Sequence, residues 1–233
     1  MFPKRRVPRV PGLVAAVLLA GCAHQQDGVF RLPAAYNFAF YDTYEFAARS
    51  FYAAHYTHFG AYENLMGSLE EADALMGPFA DRVRGYVVDP PRFEPPADII
   101  APTWSRLAYP TGQSMHWTHM LHSQLYDILT DERVTEKRAA GERAIAYYLS
   151  EADAAFSTRG YGHRFMDGGG PWARNFRDRY PEVNGILWAY HWHHAAVYEA
   201  LMLPEPEARA GELARVIRVF EDSVLNDLPT VMP

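Results

Sequence analysis

The chain has 233 residues, of which 49% are hydrophobic, 14% aromatic and 21% charged, and its formal net charge at pH 7 is -6. This composition allows one domain, or two small ones, with a sizeable core, and it excludes a disordered, collagen-like or disulfide-scaffold protein. The acidic balance argues against a nucleic-acid partner, because binding the phosphate backbone requires a clustered basic surface.

The first 21 residues have the pattern of a signal peptide. Basic side chains between Lys4 and Arg9 precede an apolar run from Leu13 to Ala20, which is too short to span a bilayer. The run Leu19-Ala20-Gly21-Cys22 resembles the lipobox of bacterial lipoprotein precursors, and this resemblance implies cleavage before Cys22 and lipidation of its thiol with chains such as palmitate.

We therefore expect three regions along the chain: a signal peptide at 1–21, a lipidated tether at 22–35 and a helical domain at 36–233. The lipid would anchor the protein to a membrane of the bacterial cell envelope, with the domain in the periplasm or otherwise outside the cytoplasmic membrane. Cys22 is the only cysteine, which excludes an intramolecular disulfide and a multi-thiolate metal site.

The remaining sequence predicts an all-α helical bundle of about five to six helices, because helical periodicity is sustained and no hairpin signal is found. Ser68 and Glu71 form a capping-box pattern, and Pro181 suits the first turn of a helix. A Pro-rich connection at 90–110 and a Gly-rich loop at 157–180 separate helical segments. The predicted helices cover about 42–66, 68–87, 111–130, 135–156, 181–203 and 204–227.

A motif with two histidines recurs in three of these helices. Each copy reads His-x-x-His-x-x-x-Tyr-(Glu/Asp)-x-Leu and is followed by a second helical segment, so the chain is predicted to consist of three diverged helical hairpins. At about 100° per residue, both histidines, the tyrosine and the leucine lie on one stripe that faces the core. The motif histidines are His55, His58, His119, His122, His191 and His194.

Three parallel motif helices would stack these six imidazoles in two adjacent layers. Because every buried imidazole needs partners for two nitrogens, such a cluster favours a transition-metal site. The six histidines would be the ligands of one ion or of more than one. Copper and iron rank equally as the metal, with zinc behind them; Met115 on the same stripe slightly favours copper.

The other motif positions suggest supporting roles. The tyrosines Tyr62, Tyr126 and Tyr198 would close one end of the pocket, as hydrogen-bonding or redox groups. The acids of the motif lie too far along the helix to share a metal with their own first histidine, so they would orient histidines or tyrosines of neighbouring helices. These acids are Glu63, Asp127 and Glu199.

Four further residues receive weaker interpretations. His116 reads as a flanking contact, and His193 falls on the face opposite the motif stripe and is expected to be exposed. His163 and Asp167 lie in the Gly-rich loop and are candidates for a lid. No strand precedes that loop, so the sequence does not suggest a nucleotide site.

Three function classes follow from the sequence. The first is an envelope-anchored lipoprotein that binds a transition metal in its helical core. The second is a copper- or iron-dependent oxidase or oxygenase that uses the same site. The third is a structural or adaptor lipoprotein without metal, whose polar core fixes the packing of the helices.

Overall fold

The computed structural model describes residues 33–94, 96–156 and 171–226. These residues confirm the all-α class, because they form ten helices and no strand. None of these helices combines the length and apolarity that crossing a bilayer would require. In chain order the helices are α1 (Ala39–Thr43), α2 (Glu45–Asn64), α3 (Leu69–Val88), α4 (Ala97–Ile100), α5 (Pro102–Leu107), α6 (Tyr109–Thr130), α7 (Lys137–Ser150), α8 (Pro171–Arg179), α9 (Pro181–Leu201) and α10 (Pro206–Asn226).

Local sequence signals explain several helix boundaries. The Ser68 hydroxyl accepts a hydrogen bond from the backbone N–H of Glu71, whose carboxylate accepts one from the Ser68 N–H, so the predicted capping box is confirmed. The predicted Gly-rich loop is too long, because α8 occupies its last part. Proline at the first position of a helix is favourable, and Pro171 follows the last glycine of that loop directly.

Each histidine-bearing helix packs against the helix that follows it: α2 on α3, α6 on α7 and α9 on α10. The contact between α2 and α3 is close, because a Cβ at Gly60 would lie 2.5 Å from Cε2 of Phe79. α9 also contacts α2 and α6. The three motif helices therefore form the centre of the bundle.

The directions of these central helices differ from the prediction in one respect. Tyr126 and Tyr198 stack 4.4 Å apart, and His122 lies near His194, so α6 and α9 run parallel as predicted. The start of α2 lies beside the ends of α6 and α9, since the Phe51 ring is 5.6 Å from that of Tyr126 and 5.0 Å from that of His194. The prediction that α2 is parallel to both is wrong.

The path of the Pro-rich connection explains this reversal. Asp89 and Pro90, at the end of α3, contact Arg49 near the start of α2. The connection then follows α2 to its other end, where Trp104 stacks on Tyr62. α6 must therefore begin beside the end of α2 and run back along it. The connection contributes α4 and α5 on the way, and it brings a carboxylate beside the central histidines.

Candidate metal centre

Three potential metal ligands converge from three parts of the fold: His55 on α2, Glu94 in the Pro-rich connection and His119 on α6. One ligand atom from each lies within 4.8 Å of the others. Oε1 of Glu94 contacts Nδ1 of His55 and is 3.3 Å from Nδ1 of His119. These three atoms are buried, and none of them makes a hydrogen bond of acceptable geometry with a described group.

The protonation states of His55 and Glu94 suit metal binding. Burial lowers the pKa of His55 to about 4, and the neighbouring imidazole of His119 acts in the same direction, against the effect of Glu94. Burial opposes ionisation of Glu94, but its interactions with His119 and His55 dominate and lower its pKa to about 2. At neutral pH His55 is therefore a neutral imidazole and Glu94 a carboxylate, the forms that bind metals.

His116 flanks the triad, in agreement with the prediction. Its ring lies 5.5 Å from that of His55, and its Nε2 accepts a hydrogen bond from the backbone N–H of Ala97 at 3.3 Å. This bond leaves the Nε2 lone pair occupied and fixes His116 to the start of α4. His116 therefore supports the triad from outside.

The other four motif histidines lie outside the triad and form two pairs. His58 and His191 are edge to face at 5.0 Å, and His122 and His194 at 6.4 Å. Nδ1 of His58 donates to the carbonyl of Ala54, four residues earlier, at 2.8 Å, which leaves Nε2 as the lone-pair nitrogen. Of the six predicted ligands, the structure thus brings His55 and His119 into one ligand group with Glu94.

The Phe51 ring packs against both the triad and the His122 and His194 pair, and the rings of His119 and His122 lie 6.5 Å apart. Phe51 lies 5.4 Å from the ring of His119, 5.9 Å from that of His122 and 5.0 Å from that of His194. This position follows from the reversed direction of α2, because an apolar residue of its stripe now faces the histidines of α6 and α9. The two predicted layers, His55 with His119 and His191 and His58 with His122 and His194, are therefore not formed, because His191 pairs with His58 instead.

The prediction that His193 is exposed is wrong. Its side chain is 1% exposed, its ring lies 4.6 Å from that of Phe220 on α10, and its two nitrogens have no hydrogen-bond partner among the described atoms. His191, predicted to face the core, is instead exposed. α9 is covered on a second face by α10, which buries His193.

The three motif tyrosines occupy two ends of the bundle rather than one. Tyr62 stacks on Trp104 at 5.0 Å, at the far end of α2. Tyr126 and Tyr198 stack at the other end, and the Tyr198 hydroxyl donates to the carbonyl of His122 at 3.4 Å. Because α2 is antiparallel to α6 and α9, equivalent motif positions cannot share one end, and the predicted closure by three tyrosines is corrected.

Two of the motif acids accept hydrogen bonds from the backbone at the starts of short helices, and not from histidine side chains. Glu63 accepts hydrogen bonds from the backbone N–H groups of Thr103 and Trp104, in the first turn of α5. Asp127 accepts from three backbone N–H groups at the start of α1, those of Asn37, Phe38 and Phe40, at 2.7 to 3.0 Å. Glu199 is exposed. The prediction that Glu63 and Asp127 orient histidines or tyrosines of neighbouring helices is therefore wrong.

Asp127→Ala is expected to lower the free energy of unfolding by about 3 kcal/mol, because three backbone N–H groups, one buried and two part-buried, lose their carboxylate acceptor. Phe38, one of the donors, has a left-handed φ of 63°. This conformation costs about 1–2 kcal/mol for a residue other than glycine, and the hydrogen bond to Asp127 helps to offset that cost. Urea unfolding measures the loss. Glu199→Ala, at the equivalent motif position, should change stability by less than about 0.5 kcal/mol; equal losses would contradict the capping role.

A cavity of about 410 Å³ reaches Glu94 from the surface. Phe38 and Phe93 at its lining are 63% and 79% exposed, whereas Phe51 and Tyr126 are buried. Burial and the Glu94 carboxylate raise the pKa of Tyr52, on the cavity wall, to about 12, so its hydroxyl is a donor at neutral pH. The cavity therefore connects Glu94, one of the three ligands, to solvent.

Sequence reasoning missed Glu94, and no periodic signal could have found it. It lies between prolines in the run Pro90-Pro91-Arg92-Phe93-Glu94-Pro95-Pro96, where neither helical nor strand spacing relates a side chain to the core.

His163, Asp167, the signal peptide and the lipidation site Cys22 lie outside the described residues. No protein-family model, curated protein or solved structure matches the chain, so the site itself carries the functional argument.

Proposed function

We propose that this protein binds a transition-metal ion through His55, Glu94 and His119 in the core of an envelope-anchored helical bundle. The observation that carries the proposal is the convergence of three buried donor groups from α2, the Pro-rich connection and α6. Burying two imidazoles and a carboxylate together is costly unless their polar atoms are paired. A bound cation would satisfy all three at once.

The donor set favours iron or zinc. Two histidines and one carboxylate occur in non-haem iron(II) sites and in catalytic zinc sites, in both cases with coordination positions left for other ligands. Copper was favoured by the position of Met115 in the sequence, but Met115 packs with the apolar cluster around Phe59 and Trp104. We therefore rank iron and zinc ahead of copper.

Elemental analysis of the purified protein tests this proposal, after growth with iron, zinc and copper all supplied. We expect close to one ion per chain, and removal of the metal by a chelator should lower the melting temperature. The expected stabilisation is about 4 kcal/mol when the free ion exceeds its dissociation constant 1,000-fold. Protein that holds no ion, and whose melting temperature is unchanged by added metal, would contradict the proposal and favour the adaptor lipoprotein.

A second candidate is a metalloenzyme, an oxidase or oxygenase if the ion is iron or copper. The observation in its favour is the cavity that reaches Glu94, because a catalytic metal needs an open position and a path for its substrate. The test is anaerobic reduction of the loaded protein followed by admission of oxygen. Oxygen uptake that Glu94→Gln abolishes would support the enzyme; a reduced metal indifferent to oxygen would leave the binding protein.

The anchoring proposal rests on the lipobox resemblance at Cys22. Cys22→Ser is expected to abolish cleavage before residue 22 and acyl attachment, since the thiol that accepts the lipid is lost. Metabolic labelling with a palmitate analogue and fractionation of the envelope would measure both effects. Efficient labelling of the variant, or a wild type that is released in soluble form, would contradict lipid anchoring.

A further inference from the structure

The cavity beside Glu94 has the features of a site for a small organic molecule. Its volume of about 410 Å³ lies within the range of roughly 300–1,000 Å³ that is common for such sites. Eight of its thirteen lining residues are aromatic. Buried rings deep in the cavity include those of Phe40, Phe51 and Tyr126, with Phe40 and Tyr126 stacked at 4.6 Å. An apolar, flat molecule matches this wall.

The charged side chains that line the cavity differ in their interaction partners. The Asp127 carboxylate accepts three backbone N–H hydrogen bonds from the start of α1. The Glu94 carboxylate faces the imidazoles of His55 and His119. Arg92 also lines the cavity, is exposed and has no ion-pair partner among the described residues. Of the three charged residues in the lining, Arg92 is thus the one without a described partner.

We propose that this cavity binds a small aromatic carboxylate, with its ring against the aromatic wall and its carboxylate paired with Arg92. A planar guanidinium recognises a carboxylate through two parallel hydrogen bonds, which a neutral or cationic group cannot accept in the same way. Aromatic side chains add stacking and edge-to-face contacts with the ring. Of the three proposed metal ligands, Glu94 alone lines the cavity, so the inference goes beyond the proposed function.

Calorimetric titration of the mature, detergent-solubilised protein tests this inference with three probes of one shape: 2-naphthoate, 2-naphthylmethanol and 2-naphthylmethylamine. We expect 2-naphthoate to bind at least about tenfold more tightly than the alcohol, because it alone forms an ion pair with two parallel hydrogen bonds to Arg92. The amine should bind most weakly. The titrations are run on chelator-treated protein, with and without added metal.

Three variants locate the binding. Arg92→Gln should remove the preference for 2-naphthoate and leave the alcohol unaffected. Arg143→Gln, on the exposed surface of α7 and outside the cavity lining, should change nothing. Ser123→Phe places a ring inside the cavity and should weaken all three probes at least about tenfold, since the occupied volume is no longer free. Arg92 is exposed, so its substitution leaves the fold intact and keeps the test decisive.

The inference is overturned if none of the probes binds at millimolar concentration, if the amine binds most tightly, or if Ser123→Phe and Arg92→Gln have no effect. Its failure is distinguishable from failure of the proposed function. Binding of 2-naphthoate to a protein that never acquires metal would contradict the metal site alone. Stoichiometric metal without binding of 2-naphthoate would contradict the aromatic carboxylate site alone.

Discussion

Glu94→Gln is expected to weaken metal binding more than 100-fold while the protein stays folded. Glutamine preserves the size of the side chain but removes the negative charge, and a neutral amide oxygen is a much weaker ligand for a transition metal. The loss should exceed the roughly 10- to 100-fold reduction that follows removal of a supporting contact around a metal site. Competition with a chromophoric chelator, under anaerobic conditions for iron(II), measures the affinity.

A matched control is the same substitution at Glu63, which holds the first turn of α5 and lies outside the triad. Glu63→Gln should reduce stability by about 1 kcal/mol, the scale of one hydrogen bond, and leave metal affinity unchanged. His55→Ala and His119→Ala should resemble Glu94→Gln. Wild-type affinity in Glu94→Gln would contradict the triad.

His194→Ala separates the triad from the site of six histidines that the sequence suggested. His194 packs against the Phe51 ring at 5.0 Å and is not part of the ligand group, so its loss should change metal affinity by less than about threefold, a difference well under 1 kcal/mol. Stability should fall in metal-loaded and metal-free protein alike. A loss of affinity as large as that of His55→Ala would restore the larger site.

The long helices were predictable because their determinants are local. The capping box at Ser68 and the proline at the first turn of α9, Pro181, lie within one turn of the boundaries they set. The histidine stripe likewise depends on the 3.6-residue period alone. Residues with these signals therefore identified the helical elements and two of the three proposed ligands.

The relative direction of the helices was not predictable, because it depends on the route of a connection without periodicity. That route is fixed by contacts distant in sequence, such as Arg49 with Asp89 and Tyr62 with Trp104. Glu94 joins the site only because the connection follows α2. A symmetric arrangement inferred from a sequence repeat is therefore wrong when the chain runs through one of the motif helices in the opposite direction.

The burial of His193 could have been found from the sequence. Ile186, Tyr190 and Val197 recur with it at spacings of three and four residues, and all three are buried. A helix that is apolar on more than one face is buried on more than one face. The histidine stripe drew attention to one face of α9, whereas the apolar residues marked a second face that α10 covers.

The metal-free protein is expected to lose stability steeply as the pH falls from about 6.5 to about 4. Burial lowers the pKa of His193 to about 4, and burial together with neighbouring imidazoles lowers that of His122 to about 4, whereas histidine in an unfolded chain titrates near 6.5. Between these values the unfolded chain binds protons that the folded chain excludes. The contribution of these neutral histidines to stability is therefore fully present above pH 6.5 and is lost progressively as the pH falls toward 4.

His193→Leu isolates one of these protons. Each histidine that is protonated only in the unfolded chain contributes a slope of about 1.4 kcal/mol per pH unit, so the variant should show a slope smaller by that amount between pH 6.5 and 4. Because Phe220 packs against the ring and both nitrogens lack described partners, leucine should be neutral or stabilising at pH 7. Denaturant unfolding at a series of pH values measures the slopes, and the two curves should run parallel from pH 8 to 9, well above the pKa of histidine in the unfolded chain. Coincident slopes below pH 6.5 would show that His193 is protonated equally in both states, and would contradict its burial as a neutral imidazole against α10.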